Sequence, residues 1–376
     1  RMLNSSEAST VAWWSTRAPP VVRETIQRMA LQQNGKVERR DCPVFVVGCH
    51  RSGTNLVYDT LLSAGGFAIH RGYLPIYKML IPRFGRIDKL ENRRRIVETW
   101  LLSKGFRRSG LDAEAITAEL MAGCRTGGDF IRIVMDNVAR EQKAPRWVLY
   151  DPDNALRLPL VKKDFPAALI IHMVRDGRDI ALSLKKMAGF RPLPWDRKSR
   201  GLEATALFWE WMVRKGRSGG RRFPEDYIEI HYEDLVSNPR EILARLGQFL
   251  DHDLDFDRIQ RTALGRLTVS NSSFRDEEGK DKINPVNRWK ERLSPAQTAS
   301  LEALVGRCLA EMGYSLSVPE SERRPGLREA WMRTVYLNYL DAKFWAKMNT
   351  PLGRLANLSA MELSDAPPQP TAAPPR

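Results

Sequence analysis

The segment from Pro43 to Tyr58 reads as a buried strand, a glycine-bearing turn and the opening of a helix. Val44 to Val47 is an unbroken β-branched and aromatic run, the composition of a central parallel strand covered on both faces. Gly48 and Gly53 let the chain turn tightly with its amides facing inward, and a helix starting near Thr54 brings the positive end of its dipole to the same place. Together these features make a cradle for phosphate. The glycine spacing is that of the nucleoside-triphosphatase loop G-x-x-x-x-G-K-[ST], but Thr54 stands where that loop needs Lys and Asn55 where it needs the Mg²⁺-binding hydroxyl. A phosphate loop is therefore expected, and ATPase or GTPase chemistry is not.

A second strand–turn–helix unit lies further on. Ala168 to Val174 is apolar and ends in Arg175, and the helix behind it carries Ser183, eight positions after the arginine. Tyr232-Glu233-Asp234-Leu235 follows an alternating strand, and Arg288-Trp289-Lys290 leads into Leu293-Ser294-Pro295 before a long helix. Arg51-Ser52-Gly53-Thr54 after an apolar strand, with these three stretches in order behind it, resembles the sulfotransferase family, whose donor is 3′-phosphoadenosine 5′-phosphosulfate (PAPS). The resemblance covers about residues 41 to 315 and is weakest between 75 and 145.

That resemblance implies a three-layer α/β/α fold with a central parallel sheet, P-loop-like, with helical extensions at both ends. It implies that Ser52, Gly53, Thr54 and Asn55 hold the 5′-phosphate, that Arg51 stabilises the leaving phosphate, and that Arg175 and Ser183 select the 3′-phosphate. Arg288, Trp289 and Lys290 would cover the nucleotide. No metal is called for. The acceptor, a hydroxyl or amine and in the first instance a carbohydrate or glycolipid, needs a base. His70 lies where the family places one, and an imidazole is a competent base at neutral pH. His50, inside the loop, is the runner-up; His172, in mid-strand, reads as a core histidine. The family's Lys-(Thr or Asp)-Pro after a strand is here Tyr150-Asp151-Pro152, so one expected cation is missing and the role of Asp151 is open.

A chain of 376 residues with a net charge of +15 calls for an anionic partner. A donor with two phosphates and a sulfate supplies one. A basic protein that binds nucleotide or nucleic acid without sulfuryl transfer is the alternative. Cys42, Cys49, Cys124 and Cys308 form no C-x-x-C pair, which suits reduced thiols in the cytoplasm. No run reaches the ~18 to 20 apolar residues that span a bilayer.

The organisation expected is an N-terminal helical extension (1–40), a sulfotransferase domain (41–318), an amphipathic helical extension (319–364) and a disordered tail (365–376). Strands are expected near 43–47, 147–150, 168–174 and 227–231. Residues 76–146 read as a helical, basic lobe on the acceptor side, 191–200 as a lid, and 251–287 as irregular chain folded over the nucleotide. Past residue 330, Met332, Tyr336, Leu340, Phe344 and Met348 recur at every fourth position. The stretch 328–350 can dock on the catalytic domain, pair with a second copy in a homodimer, or lie on a membrane surface as a peripheral contact.

Overall fold

The computed structural model describes residues 38–186, 201–262, 286–319 and 326–364. The expected lid at 191–200, the N-terminal helix and the tail after 364 lie outside these residues. Two compact units are present, Arg1–Cys42 and Pro43–Arg376. Within the first, the described residues contain a single 3-10 turn, Arg39–Asp41. Everything that follows concerns the second.

Its centre is a five-stranded sheet, β1 (Val44–Gly48), β2 (Phe67–Ala68), β3 (Arg146–Tyr150), β4 (Leu169–Val174) and β5 (Tyr227–His231), in the order β2-β3-β1-β4-β5. Every neighbouring pair is parallel, with Val44 opposite Val148 on one side and Leu169 on the other. All residues of β1 and β4 are buried, as continuous apolar runs require when both sheet faces are covered. The expected strands are present. The short edge strand β2 was not expected, because two residues are too few to show a period.

The helices are α1 (Thr54–Ala64), α2 (Ile81–Phe84), α3 (Leu90–Leu101), α4 (Lys104–Arg107), α5 (Ala113–Gly123) and α6 (Gly127–Glu141) before β3. After it come α7 (Leu158–Asp164), α8 (Gly177–Lys186), α9 (Leu202–Gly220), α10 (Tyr232–Ser237), α11 (Pro239–Leu250), α12 (Phe256–Thr262), α13 (Trp289–Arg292), α14 (Pro295–Glu311) and α15 (Leu327–Asn349). Helix α12 corrects the expectation of irregular chain throughout 251–287. Ile259 is its buried anchor, and one apolar residue among charged ones gives no stripe to read. Helix α6 begins with a reciprocal capping box between Thr126 and Asp129, and α14 with one between Ser294 and Gln297, so both starts are written in the sequence.

Helix α15 docks through one face. Tyr336 and Leu340 are buried, the Trp211 indole donates to Asp341 at 2.7 Å, and Arg333 pairs with the buried Glu210 of α9. The strand order explains where a ligand belongs. The chain leaves β1 towards β2 and β3, then crosses to β4 and β5 on the other side, so connections diverge above β1 and β4. Open α/β sheets bind ligands at that crevice, beyond the carboxyl ends of the strands.

Candidate active site

The loop between β1 and α1 occupies the crevice. Arg51 has a φ of 74° and Gly53 a φ of 93°, both in the left-handed region, and an arginine held there is strained. A Cβ on Gly53 would lie 2.4 Å from the Tyr232 ring, and one on Gly48 would lie 2.5 Å from the Met173 carbonyl oxygen. No larger residue fits either position. Helix α1 starts with no side-chain cap, so its first amides need an acceptor from elsewhere. Ser52 is fully buried, and its hydroxyl has no hydrogen-bond partner among the described residues. A buried hydroxyl without a partner is costly, and a bound anion would satisfy it.

On the β4 side the expected residues come together. The Arg51 Nε donates to Ser183 Oγ at 2.9 Å, across 132 residues of sequence. Arg175 donates to the Arg51 carbonyl oxygen at 3.3 Å, and its guanidinium stacks 4.2 Å above the Tyr232 ring. Burial, followed by the Arg175 charge, lowers the Arg51 pKa. Burial, followed by Arg175 and Arg292, lowers that of Arg288. Guanidinium groups that repel one another in a partly closed crevice mark an anion site.

Trp289 is buried beneath this cluster, 3.7 Å from the Arg178 guanidinium, and its amide donates to Asp179 Oδ1 at 2.8 Å. Lys290 is exposed beside it, and Asn55 is exposed on the first turn of α1. Arg178 itself pairs with Asp176 at 2.7 Å and Glu302 at 2.6 Å, a buried triad that ties the β4–α8 turn to α14. Glu233 accepts from the Asp176 amide and from the Tyr314 hydroxyl, both at 3.0 Å. Tyr232 and Arg178 were not among the residues singled out for the site. The Tyr232-Glu233-Asp234-Leu235 stretch was the signal for the first; nothing local distinguishes Arg178 from a surface arginine.

On the β3 side lies a second cluster. The Asp153 amide donates to Asp151 Oδ1 at 3.1 Å, His50 Nε2 lies 3.4 Å from Asp153 Oδ2, and Lys78 pairs with the same oxygen. Arg157 donates to the Asp153 carbonyl oxygen at 3.0 Å and stacks 5.0 Å above Phe344 of α15. Tyr150, in the position where a lysine was expected, hydrogen-bonds Thr54, and burial pushes its phenol up to about 12. His50 therefore reaches from the phosphate loop to the end of the neighbouring strand.

Burial and the adjacent Asp153 charge push the Asp151 carboxyl up to about 6. Burial would raise Asp153 as well, but Lys78 and His50 overcome it and hold that carboxyl well below its usual range. A carboxyl raised in the folded state costs stability once it ionises, so the cost of Asp151 is absent below the unfolded value and complete above about 6. Asp151→Asn should therefore stabilise the protein at pH 7.5 by about 1 to 3 kcal/mol, with the gain lost by about pH 3, below the unfolded value, when denaturant melts are compared at the two pH values.

His70 is shut away from solvent. It is 3% exposed, neither ring nitrogen has a hydrogen-bond partner among the described residues, and burial lowers its pKa to about 4. Its carbonyl oxygen accepts from the Tyr58 hydroxyl at 2.6 Å, and its ring packs against Gly72. His172 is fully buried with Nδ1 2.6 Å from the Tyr227 hydroxyl, a core histidine. Among the described residues no three His, Cys, Asp or Glu side chains gather as a metal site.

The Sulfotransferase family model matches residues 43–257, more than half of the chain. The chain belongs to the sulfotransferase family. It is therefore an enzyme of sulfuryl transfer. Sulfotransferase relatives include a candidate protein-tyrosine sulfotransferase of Caenorhabditis elegans, 24% identical over 60% of this chain and 84% of the relative. The omega-hydroxy-beta-dihydromenaquinone-9 sulfotransferase Stf3 of Mycobacterium bovis is 22% identical over 76% of this chain and 79% of its own. Among solved structures, the sulfotransferase domain from the curacin biosynthetic pathway superposes with a TM-score of 0.50 at 17% identity, covering 73% of this chain and 98% of that domain. This sulfotransferase thus shares the P-loop-like α/β fold of its family. The relatives act on unlike acceptors by their names, so family membership alone does not choose one.

Proposed function

We propose that this sulfotransferase uses PAPS and transfers its sulfuryl group to a hydroxyl of a carbohydrate or glycolipid. The observation that carries the donor is the convergence of Arg51, Arg175 and Ser183 on a phosphate loop whose buried Ser52 hydroxyl has no hydrogen-bond partner among the described residues. In this reading the loop amides, Ser52 and Thr54 hold the 5′-phosphate, while Arg175, Ser183 and Arg288 hold the 3′-phosphate, with Asn55, Trp289 and Lys290 around them. PAPS would supply the sulfuryl group, which becomes planar and weakly bonded only in the transition state, so positioning and charge stabilisation matter more than covalent help. Arg51, its head fixed by Ser183, neutralises charge on the departing phosphate.

We assign the acceptor to the β3 side. Tyr150, Asp151, Asp153 and Lys78 offer donors and acceptors for a polyhydroxylated molecule, and so does Tyr73, whose phenol pKa is raised by burial and by the Asp151 and Asp153 charges. We also move the base from His70 to His50. Asp153 faces His50 Nε2, which leaves Nδ1 to take the acceptor's proton, and the carboxylate stabilises the imidazolium that results. The support is position: His50 adjoins Arg51 in sequence and lies between the two clusters, whereas His70 is enclosed.

Calorimetry tests the donor assignment. 3′,5′-Adenosine bisphosphate should bind more tightly than AMP, and Arg175→Ala should remove that preference at a cost of about 1.5 to 3 kcal/mol, the worth of a charge-assisted hydrogen bond. Equal losses for both nucleotides would place the 3′-phosphate elsewhere. Equal binding to wild type, weakening steeply with salt, would favour general polyanion binding.

A further inference from the structure

Helix α15 carries two apolar stripes, and one of them is left exposed among the described residues. Tyr336 and Leu340 are buried, with Met332, Leu337 and Phe344 packed against the core beside them. On the opposite side Leu327, Trp331, Val335 and Trp345 are 93%, 67%, 41% and 61% exposed. With Asn338 and Ala342 they fall within an arc of about 80° when plotted at 3.6 residues per turn. The line they form is about 27 Å long at 1.5 Å per residue. Beyond the helix, Leu352 and Leu355 are also exposed, with Arg354 exposed near them. Large apolar side chains aligned in this way on a surface mark a contact site.

We propose that this stripe seats the enzyme on an anionic lipid surface. A second copy of the chain is the competing occupant, and charge argues against it, because two copies that each carry +15 repel one another while an anionic surface attracts. Trp and Leu on one helix face also suit the headgroup boundary. The net charge of +15 draws the protein to anionic headgroups. Among the described residues no helix is long and apolar enough to cross a membrane, so the contact is peripheral.

The other face of the same helix reaches the acceptor side. Phe344 lies under Arg157 and Met348 Sδ is 3.9 Å from it, while Arg157 holds the Asp153 carbonyl oxygen. Docking through Trp331 and Trp345 would therefore hold the β3-side cluster about one helix diameter plus one arginine side chain from the lipid surface, within reach of the head of a lipid-anchored acceptor. This last step rests on the reading of the site given above; the docking does not.

The full chain is sedimented with vesicles of phosphatidylcholine alone or mixed with phosphatidylglycerol, and its tryptophan emission is followed. Wild type should pellet with the mixed vesicles, and its emission should shift to the blue. Trp331→Glu/Trp345→Glu should weaken vesicle binding about tenfold or more, because the exposed stripe supplies the apolar insertion. The same variant should bind 3′,5′-adenosine bisphosphate as wild type does, which separates loss of docking from loss of fold or of the donor site. Retained vesicle binding in the variant, no binding by wild type, or equal binding to neutral vesicles would overturn the proposal. So would light scattering that finds wild type dimeric and the variant monomeric.

Discussion

His50→Gln should lower sulfuryl transfer by about 10² to 10⁴-fold, the range for loss of one general base. Release of 3′,5′-adenosine bisphosphate from PAPS reads this loss, with water as the acceptor and with an added series of phenols of falling pKa. The defect should shrink for phenols that are already ionised, because an ionised acceptor has no proton to give. Affinity for 3′,5′-adenosine bisphosphate should hardly change, since the loop amides and Arg51 remain. Asp153→Asn should give a smaller loss, in turnover more than in acceptor KM, because Asp153 acts by orienting His50 at 3.4 Å. His70→Gln separates the two candidates. If His50 is the base, His70→Gln leaves the dependence on acceptor pKa as in wild type. A loss that follows acceptor pKa in the His70 variant, and not in the His50 variant, would return the base to His70.

Arg51→Ala should lower turnover by about 10² to 10³-fold for every acceptor, ionised or not, as removal of a donor to developing charge does elsewhere. The flat dependence on acceptor pKa distinguishes it from His50→Gln. Ser183→Ala should reproduce part of this loss, since Ser183 accepts from Arg51 Nε at 2.9 Å and fixes the guanidinium. Arg51→Lys keeps the charge but loses that Nε contact and must still occupy a φ of 74°. Its turnover should fall between those of wild type and Arg51→Ala. An Arg51→Ala defect confined to poorly ionised acceptors would mean that Arg51 serves the acceptor and not the leaving phosphate.

Much of the sheet was legible because its strands are apolar runs bounded by turns. Val44 to Val47 and Leu169 to Val174 are buried on both faces, so their composition leaves no other place for them. The phosphate loop was legible for a related reason. A backbone with a φ of 93° at Gly53, and a tyrosine ring where a Cβ would be, admits one residue type, and the sequence records it. β2 escaped because two residues carry no period, and α12 because a single buried isoleucine anchors it.

The sequence by itself determined the local units: a strand, a phosphate loop and a helix start, then a second strand closed by Arg175, with Ser183 a fixed distance along the next helix. These follow from nearest-neighbour geometry, which acts over a few residues. Only the tertiary structure decided which of those units meet. The strand order sets Arg51 beside Ser183 and, on its other side, His50 beside Asp153, 103 residues later in the chain. It also encloses His70, lowering its pKa to about 4, although as a free imidazole it looked the better base. Burial and charge pairing depend on every element packed around a group, and so on the sheet order and helix docking that bring distant stretches together.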